Sequence, residues 1–386
     1  MSEEQPGSRC TLPISLQEYI NKDIGKELKI DGLKHYILSI CLGKGALGEV
    51  YLVQNEKDKK TYALKVIHLK DKSGHDIADG VSKFNKEKEN KELLTKKDKS
   101  CVNPYINCSI GIYNNDNYGF ILMSYYPKDL GKIMEGMSFS ENIITNKNFF
   151  IPQFIKWIKE LVEAINYMHT HQVAHGDIKP GNVLVNTLSD TLAVTDFDTL
   201  CIAPETQACD ITDVSSYYAS PQVWDYFGIK KSRKSIPLEI IKKSDWWALC
   251  IIILELWFGT EKFKQIHATT FASDFYKSVS SSPDIYNKIK HEIVTMQQTL
   301  TNSQTPKFNT DEISALSTIL TVTVSLLETM GLKKTNVDAS IQTFIESIKK
   351  LPDFSNLLKK SQKGGLNDEY YKHKYLKYKS KYIALK

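Results

Sequence analysis

The sequence predicts an α+β chain, in which a small antiparallel β-rich part with one helix precedes a larger, mainly helical part. Three observations predict it. Short β-branched and aromatic runs at 35–42, 50–54 and 61–67 are divided by turn residues, among them Asn55 to Lys60. Apolar residues Phe154, Ile155, Ile158, Leu161, Val162, Ile165 and Met168 recur at helical spacing. The apolar stretch Ala248 to Phe258 is too short to cross a bilayer and carries Glu255, so it reads as a buried helix. With 41% hydrophobic residues, the 386-residue chain can bury one large domain or two lobes.

In chain order, residues 1–32 read as an N-terminal extension of little periodicity, with Ile14 to Ile24 as a short amphipathic helix. Met1 to Gly7 is polar and acidic and carries no signal-peptide pattern. The first three β-rich runs then form an antiparallel meander. Between the first two lies Leu42-Gly43-Lys44-Gly45-Ala46-Leu47-Gly48-Glu49-Val50, a G-x-G-x-x-G-x-V turn whose glycines let the backbone approach a phosphate closely. A dinucleotide fingerprint would open from a strand directly into a helix, whereas this turn sits inside a hairpin. The third strand closes on Tyr62-Ala63-Leu64-Lys65, seventeen residues beyond Gly48. The lysine- and glutamate-rich segment Asp76 to Lys97 reads as a helix, and Ile106 to Tyr113 and Tyr118 to Ser124 read as two further strands.

The helix ending near His169 leads into His175-Gly176-Asp177-Ile178-Lys179-Pro180-Gly181-Asn182, and Asp196-Phe197-Asp198 begins nineteen positions after Asp177. This ordered set resembles the protein kinase family. The resemblance covers roughly residues 33 to 350 and implies a bilobal protein kinase-like fold, with an N-lobe at 33–123 and a C-lobe at 130–350. It also implies ATP and Mg2+ as cofactors and ATP and protein substrates as partners. Asp177 would be the catalytic base, Lys179 would steady the γ-phosphate, and Lys65 would reach the α- and β-phosphates. Asn182 and Asp196 would hold magnesium. Val50, Ala63 and Leu184 would enclose adenine, with Met123 as gatekeeper, the backbone of Ser124 to Tyr126, centred on Tyr125, holding the base, and Asp129 reaching the ribose. Glu89, whose i+4 neighbour Leu93 is apolar, is expected to pair with Lys65, and Glu87, three residues after Phe84, is its rival. Phe197 is expected to pack beneath the small-lobe helix.

A second family shares several of these letters. Gly176 and Asp198 also resemble the small-molecule phosphotransferases of the aminoglycoside and choline kinase type. Lys179, the segment Ser215 to Gln222 and Ser244-Asp245-Trp246-Trp247-Ala248-Leu249 resemble protein kinases instead, and they imply a serine/threonine protein kinase. A pseudokinase scaffold is the remaining alternative, although every residue that touches phosphate or metal in the family pattern is present. The arginine that usually precedes the catalytic aspartate is missing, which removes the usual anchor for an activation-loop phosphate. Gln222 replaces the usual glutamate at the end of that segment, and no arginine follows Arg233 to pair with it.

Seven scattered cysteines with no C-x-x-C pair argue against both a disulfide framework and a zinc site, and so for a reducing, cytoplasmic setting. Residues 351–386 form a basic tail in which Tyr371, Tyr375, Tyr378, Tyr382 and Leu385 step along one helical face. The six lysines from Tyr370 onward suit an anionic surface, nucleic acid or a partner helix. The tail resembles those of giant DNA virus proteins. With only Arg9 and Arg233 among fifty basic residues, it implies a viral origin, hence host cytoplasm or virion.

Overall fold

A computed structural model describes residues 20–21, 27–45, 48–71, 73–95, 100–187, 189–202, 208–211, 215, 217–227, 234–267 and 283–354. The expected tail helix, Ile14 to Tyr19 and the loop residues Ala46 and Leu47 lie outside them. The chain divides into two compact units, the first formed by residues 1–129 with 182–202 and the second by residues 130–181 with 203–386.

The first unit is built on strand alternation. Its antiparallel sheet has the order β1-β2-β3-β4-β5-β7-β6, where β1 is Ile20–Asn21, β2 Glu27–Leu28, β3 Tyr36–Gly45, β4 Gly48–Asn55, β5 Thr61–His68, β6 Ser109–Asn114 and β7 Tyr118–Ser124. Because side chains alternate across the pleat, Leu64 and Val66 of β5 face a core with Tyr51, Val53, Phe120 and Leu122. Ile67 on the opposite face meets Ile121, Met123 and Phe84. Phe84 belongs to helix α1, Ala78–Leu94. The expected helix Ile14 to Ile24 is corrected at its described residues, since Ile20–Asn21 is a strand paired with Glu27–Leu28, and Ile20, Leu28 and Ile30 are buried in the first core. Burial of these residues makes the later part of the nominal extension integral to the sheet.

A three-stranded ladder completes the unit, with β8 (Lys128–Asp129) beside β9 (Val183–Asn186) and β9 beside β10 (Thr191–Val194). Hence the stretch 182–202, expected in the C-lobe, packs with the strands of the first unit.

The second unit is helical. It contains α2 (Leu130–Met134), α3 (Phe139–Thr170), α4 (Pro221–Phe227), α5 (Leu238–Phe258), α6 (Thr260–His267), α7 (Asp284–Asn302), α8 (Thr310–Gly331) and α9 (Val337–Lys349), with a hairpin of β11 (Ala208–Ile211) and β12 (Lys234–Pro237). Helix α3 begins fifteen residues before Phe154, the first residue of the apolar pattern, and is broken at Asn146, where φ is −151° and ψ 74°. Helix α5 is the axis of the unit. Eleven consecutive side chains from Ala248 to Phe258 are buried, as expected for a helix that is apolar all round. Helix α8 is long and apolar enough to span a membrane by composition. Its apolar face, including Leu316, Ile319, Leu320 and Leu327, is instead buried against α5, α7 and α9. Its N-terminus carries a capping box between Asn309 and Glu312.

The expectation of unpaired cysteines is corrected. Cys101 and Cys108 form a disulfide with Cα atoms 5.4 Å apart, and Cys41, Cys201 and Cys209 are also disulfide-bonded. Among the described residues Cys250 is free, and it is buried. Sequence spacing misled because pairing depends on Cα separation in the fold.

Candidate active site

Strand register sets the positions of the first-unit residues expected to face nucleotide. Val50 lies opposite Lys65 across β4 and β5, and Ala63 lies opposite Met123 across β5 and β7. Residues directly opposite share a face, and so do residues two apart on one strand. Val50, Ala63, Lys65 and Met123 therefore share the face that also bears Phe84 of α1. Gly48 is required by packing: a Cβ there would sit 1.8 Å from the Val66 carbonyl oxygen, whereas one at Gly43 would meet nothing within 4 Å. At the ladder, Leu184 is the register partner of Asp129, and Leu184, Asp129 and Tyr125 are all half-buried.

Lys65 Nζ lies 2.6 Å from Asp196 Oδ1 and 3.6 Å from Glu87 Oε1. The carboxylate beside Lys65 is thus Glu87, not Glu89. Glu87 is buried, Glu89 is exposed, and the reason is phase: Glu87 is one helical step from Phe84, which faces the sheet. Asn182 and Asp196 are brought to one end of the β9–β10 hairpin, since Val183 pairs with Val194 and the Thr195 N–H donates to the Asn182 carbonyl at 2.9 Å. Asp196 has φ +69°, a left-handed conformation that costs a non-glycine residue on the order of 1 kcal/mol. The turn Phe197–Thr199 packs against α1, with Phe197 buried. An amide and a carboxylate offer the hard oxygen donors that suit Mg2+.

The second unit arranges a different set. Asp177 Oδ2 accepts a hydrogen bond from Lys179 Nζ at 2.7 Å, and that ammonium also donates to Ser215 Oγ at 3.0 Å. The Ser215 N–H points to Asp177 Oδ1 at 3.3 Å. Ser215, in the segment expected to act as the activation segment, is thereby joined to Asp177 and Lys179 through both its hydroxyl and its backbone N–H. Asp245, in the middle of α5, accepts from the backbone N–H groups of His175 (2.8 Å) and Gly176 (2.9 Å) and faces a ring nitrogen of His169 at 2.9 Å. Neither Ser244 nor Asp245 is an N-cap, because α5 begins six residues before Ser244. Instead Ser244 Oγ accepts from the Ser220 N–H, tying the segment to α5.

Two partners in this unit were not evident in the sequence. Tyr218 donates to Glu255 Oε2 at 2.8 Å. Burial pushes the Glu255 carboxyl up to about 7, against the opposing pull of the Tyr218 hydrogen bond. Gln222, which cannot form the usual ion pair, donates through Nε2 to the Met330 carbonyl at 2.7 Å. That bond ties α4 to the end of α8. A cavity of about 210 Å³ opens beside Lys179, lined also by Met134, Gly181, Tyr218 and Thr260.

The family model that matches is the protein kinase domain, over residues 36–349. The chain belongs to the protein kinase family. It resembles an Aurora kinase of Eremothecium gossypii at 26% identity, over 68% of this chain and 67% of that protein. It also resembles the serine/threonine-protein kinase PrkC of Bacillus subtilis (26%, 68% of this chain, 36% of that protein) and the human serine/threonine-protein kinase 10 (27%, 56% and 20%). The matches thus span about two thirds of the first relative and much less of the other two. As a eukaryotic-type kinase it has the family's α+β fold, a curled antiparallel sheet in one lobe and helices in the other.

Proposed function

We propose that this protein kinase transfers the γ-phosphoryl group of ATP to serine or threonine hydroxyls of proteins. The observation that carries the reading is the Lys179 ammonium, held between Asp177 and Ser215. A lysine two residues after the base, bound to a hydroxyl residue of the activation segment, suits a serine or threonine acceptor. Asp177 orients the acceptor hydroxyl. As the hydroxyl oxygen bonds to the γ-phosphorus and the bond to the ADP oxygen breaks, Asp177 takes the proton and Lys179 offsets charge on the transferring group.

Lys65 orients the α- and β-phosphates, and Glu87 keeps that ammonium from swinging away. Asn182 and Asp196 would hold Mg2+, which supplies charge neutralisation at the phosphates. The cavity beside Lys179 has room for a side chain flanking the acceptor, and the docked segment Ser215 to Ser220 provides a backbone platform for a peptide. A small metabolite would use neither.

The test is magnesium-dependent transfer of labelled γ-phosphate by the full chain and by Asp177→Asn, offered basic protein, acidic protein, aminoglycosides and choline. Label on serine or threonine that falls roughly 10²- to 10⁴-fold in the variant supports the reading. Label on a small molecule, or nucleotide binding with no transfer at all, would replace it.

A further inference from the structure

The short loop closed by the Cys101–Cys108 disulfide is tied to three parts of the first unit. Its first end meets α1, the helix of Glu87: the Val102 N–H donates to the Leu94 carbonyl at 3.1 Å, and Cys101 bridges Thr95. Its middle clamps β10. The Asn107 N–H donates to the Val194 carbonyl, and the Val194 N–H donates to the Tyr105 carbonyl, both at 2.8 Å. Val194 stands two residues before Asp196. Its far end reaches β7, where the Asn107 side-chain amide donates to the Ser124 carbonyl at 3.3 Å.

The two residues differ in exposure: Cys108 is fully buried, whereas Cys101 is half-buried, which makes Cys101 the end to which an incoming thiolate is assigned. We propose that this pair is a thiol–disulfide modification site whose redox state sets how tightly the unit holds nucleotide. The co-reactant is a protein or small-molecule dithiol. Its thiolate attacks the Cys101 sulfur, the S–S bond breaks, and Cys108 leaves as a thiolate that takes up the proton the attacking thiol released. The second thiol of the reductant then resolves the mixed disulfide, giving two cysteines and an oxidised dithiol. Closed, the bond holds loop 101–108 to α1, β10 and β7 together. Opened, the loop gains freedom, and the clamp on Val194 that positions Asp196 relaxes.

The inference rests on the nucleotide-binding reading, and its test separates the two. Binding of magnesium–ATP is measured by calorimetry on the oxidised full chain, on the same chain after dithiothreitol with thiols counted by mass spectrometry, and on Cys101→Ser/Cys108→Ser without reductant. Hydrogen exchange is followed at the Asn107 and Val194 amides. The expected result is affinity weaker by roughly five- to fiftyfold in the double variant, matching the reduced protein, with faster exchange at both amides. Affinity in the double variant equal to that of the oxidised chain, or unchanged exchange at those amides once both thiols are free, overturns the proposal. Where the variant does not fold, partial reduction decides it: with Cys101 and Cys108 found free by mass spectrometry while Cys41, Cys201 and Cys209 stay bonded, weaker binding that returns on reoxidation supports the proposal and unchanged binding overturns it. Oxidised protein that binds no nucleotide refutes the nucleotide reading instead, while the exchange measurement still judges the clamp.

Discussion

Replacing Asp245 by asparagine perturbs one atom at the point where α5 holds the loop that carries Asp177. The carboxylate is 1% exposed. One oxygen accepts from the His175 N–H and faces the His169 ring, and the other accepts from the Gly176 N–H. Asparagine keeps one acceptor and turns the other into a donor facing a donor. At least one buried backbone N–H is then unsatisfied, at about 1–3 kcal/mol, and the remaining bonds lose their charge assistance, at about 1 kcal/mol each. The sum is roughly 3–5 kcal/mol, a large part of the ~5–15 kcal/mol that stabilises a typical domain. All five tryptophans, at positions 157, 224, 246, 247 and 257, lie in the second unit, so tryptophan fluorescence in urea reports that unit alone. The expected result is a lower midpoint with the slope preserved. A loss of less than about 1 kcal/mol would show that these hydrogen bonds do not organise the loop.

Three further outcomes follow from local geometry. Glu87→Gln should reduce phosphotransfer by about tenfold or more, because Lys65 loses its buried anionic neighbour, while Glu89→Gln should change it little; equal effects in a steady-state assay would undo the assignment. Glu255 binds its proton more tightly folded, with a value of about 7 against 4.5 in the open chain. Stability of the second unit should therefore fall as pH rises from about 4.5 to about 7, by at most roughly 3 kcal/mol. Urea midpoints at pH 5 to 8 should lose that slope in Glu255→Gln, and an unchanged slope would assign it elsewhere. Gly48→Ala forces a methyl against the Val66 carbonyl and should cost about 1–3 kcal/mol, read as a thermal shift, with Gly43→Ala as the silent control.

The sequence by itself determined the order of the chemistry. The glycine turn, Lys65, Asp177, Lys179, Asn182 and Asp196 are recognisable because phosphoryl transfer limits which side chains can stand at each step, and their spacing along the chain reports the same constraint. The buried helix around Ala248 to Phe258 was legible for an equally direct reason, since a run apolar on every side must be enclosed. What only the tertiary structure decided was partnership. The choice of Glu87 over Glu89 turns on which face of α1 meets the sheet, and two glutamates two residues apart share one composition but point about 200° apart. Ile20 and Leu28 join the core through strand pairing too short to leave a period. The disulfide and the contacts of Asp245 with His175, Gln222 with Met330, and Tyr218 with Glu255 link residues 7, 70, 108 and 37 positions apart. No local pattern encodes such distances, because each pair depends on how whole elements pack before the two side chains can meet.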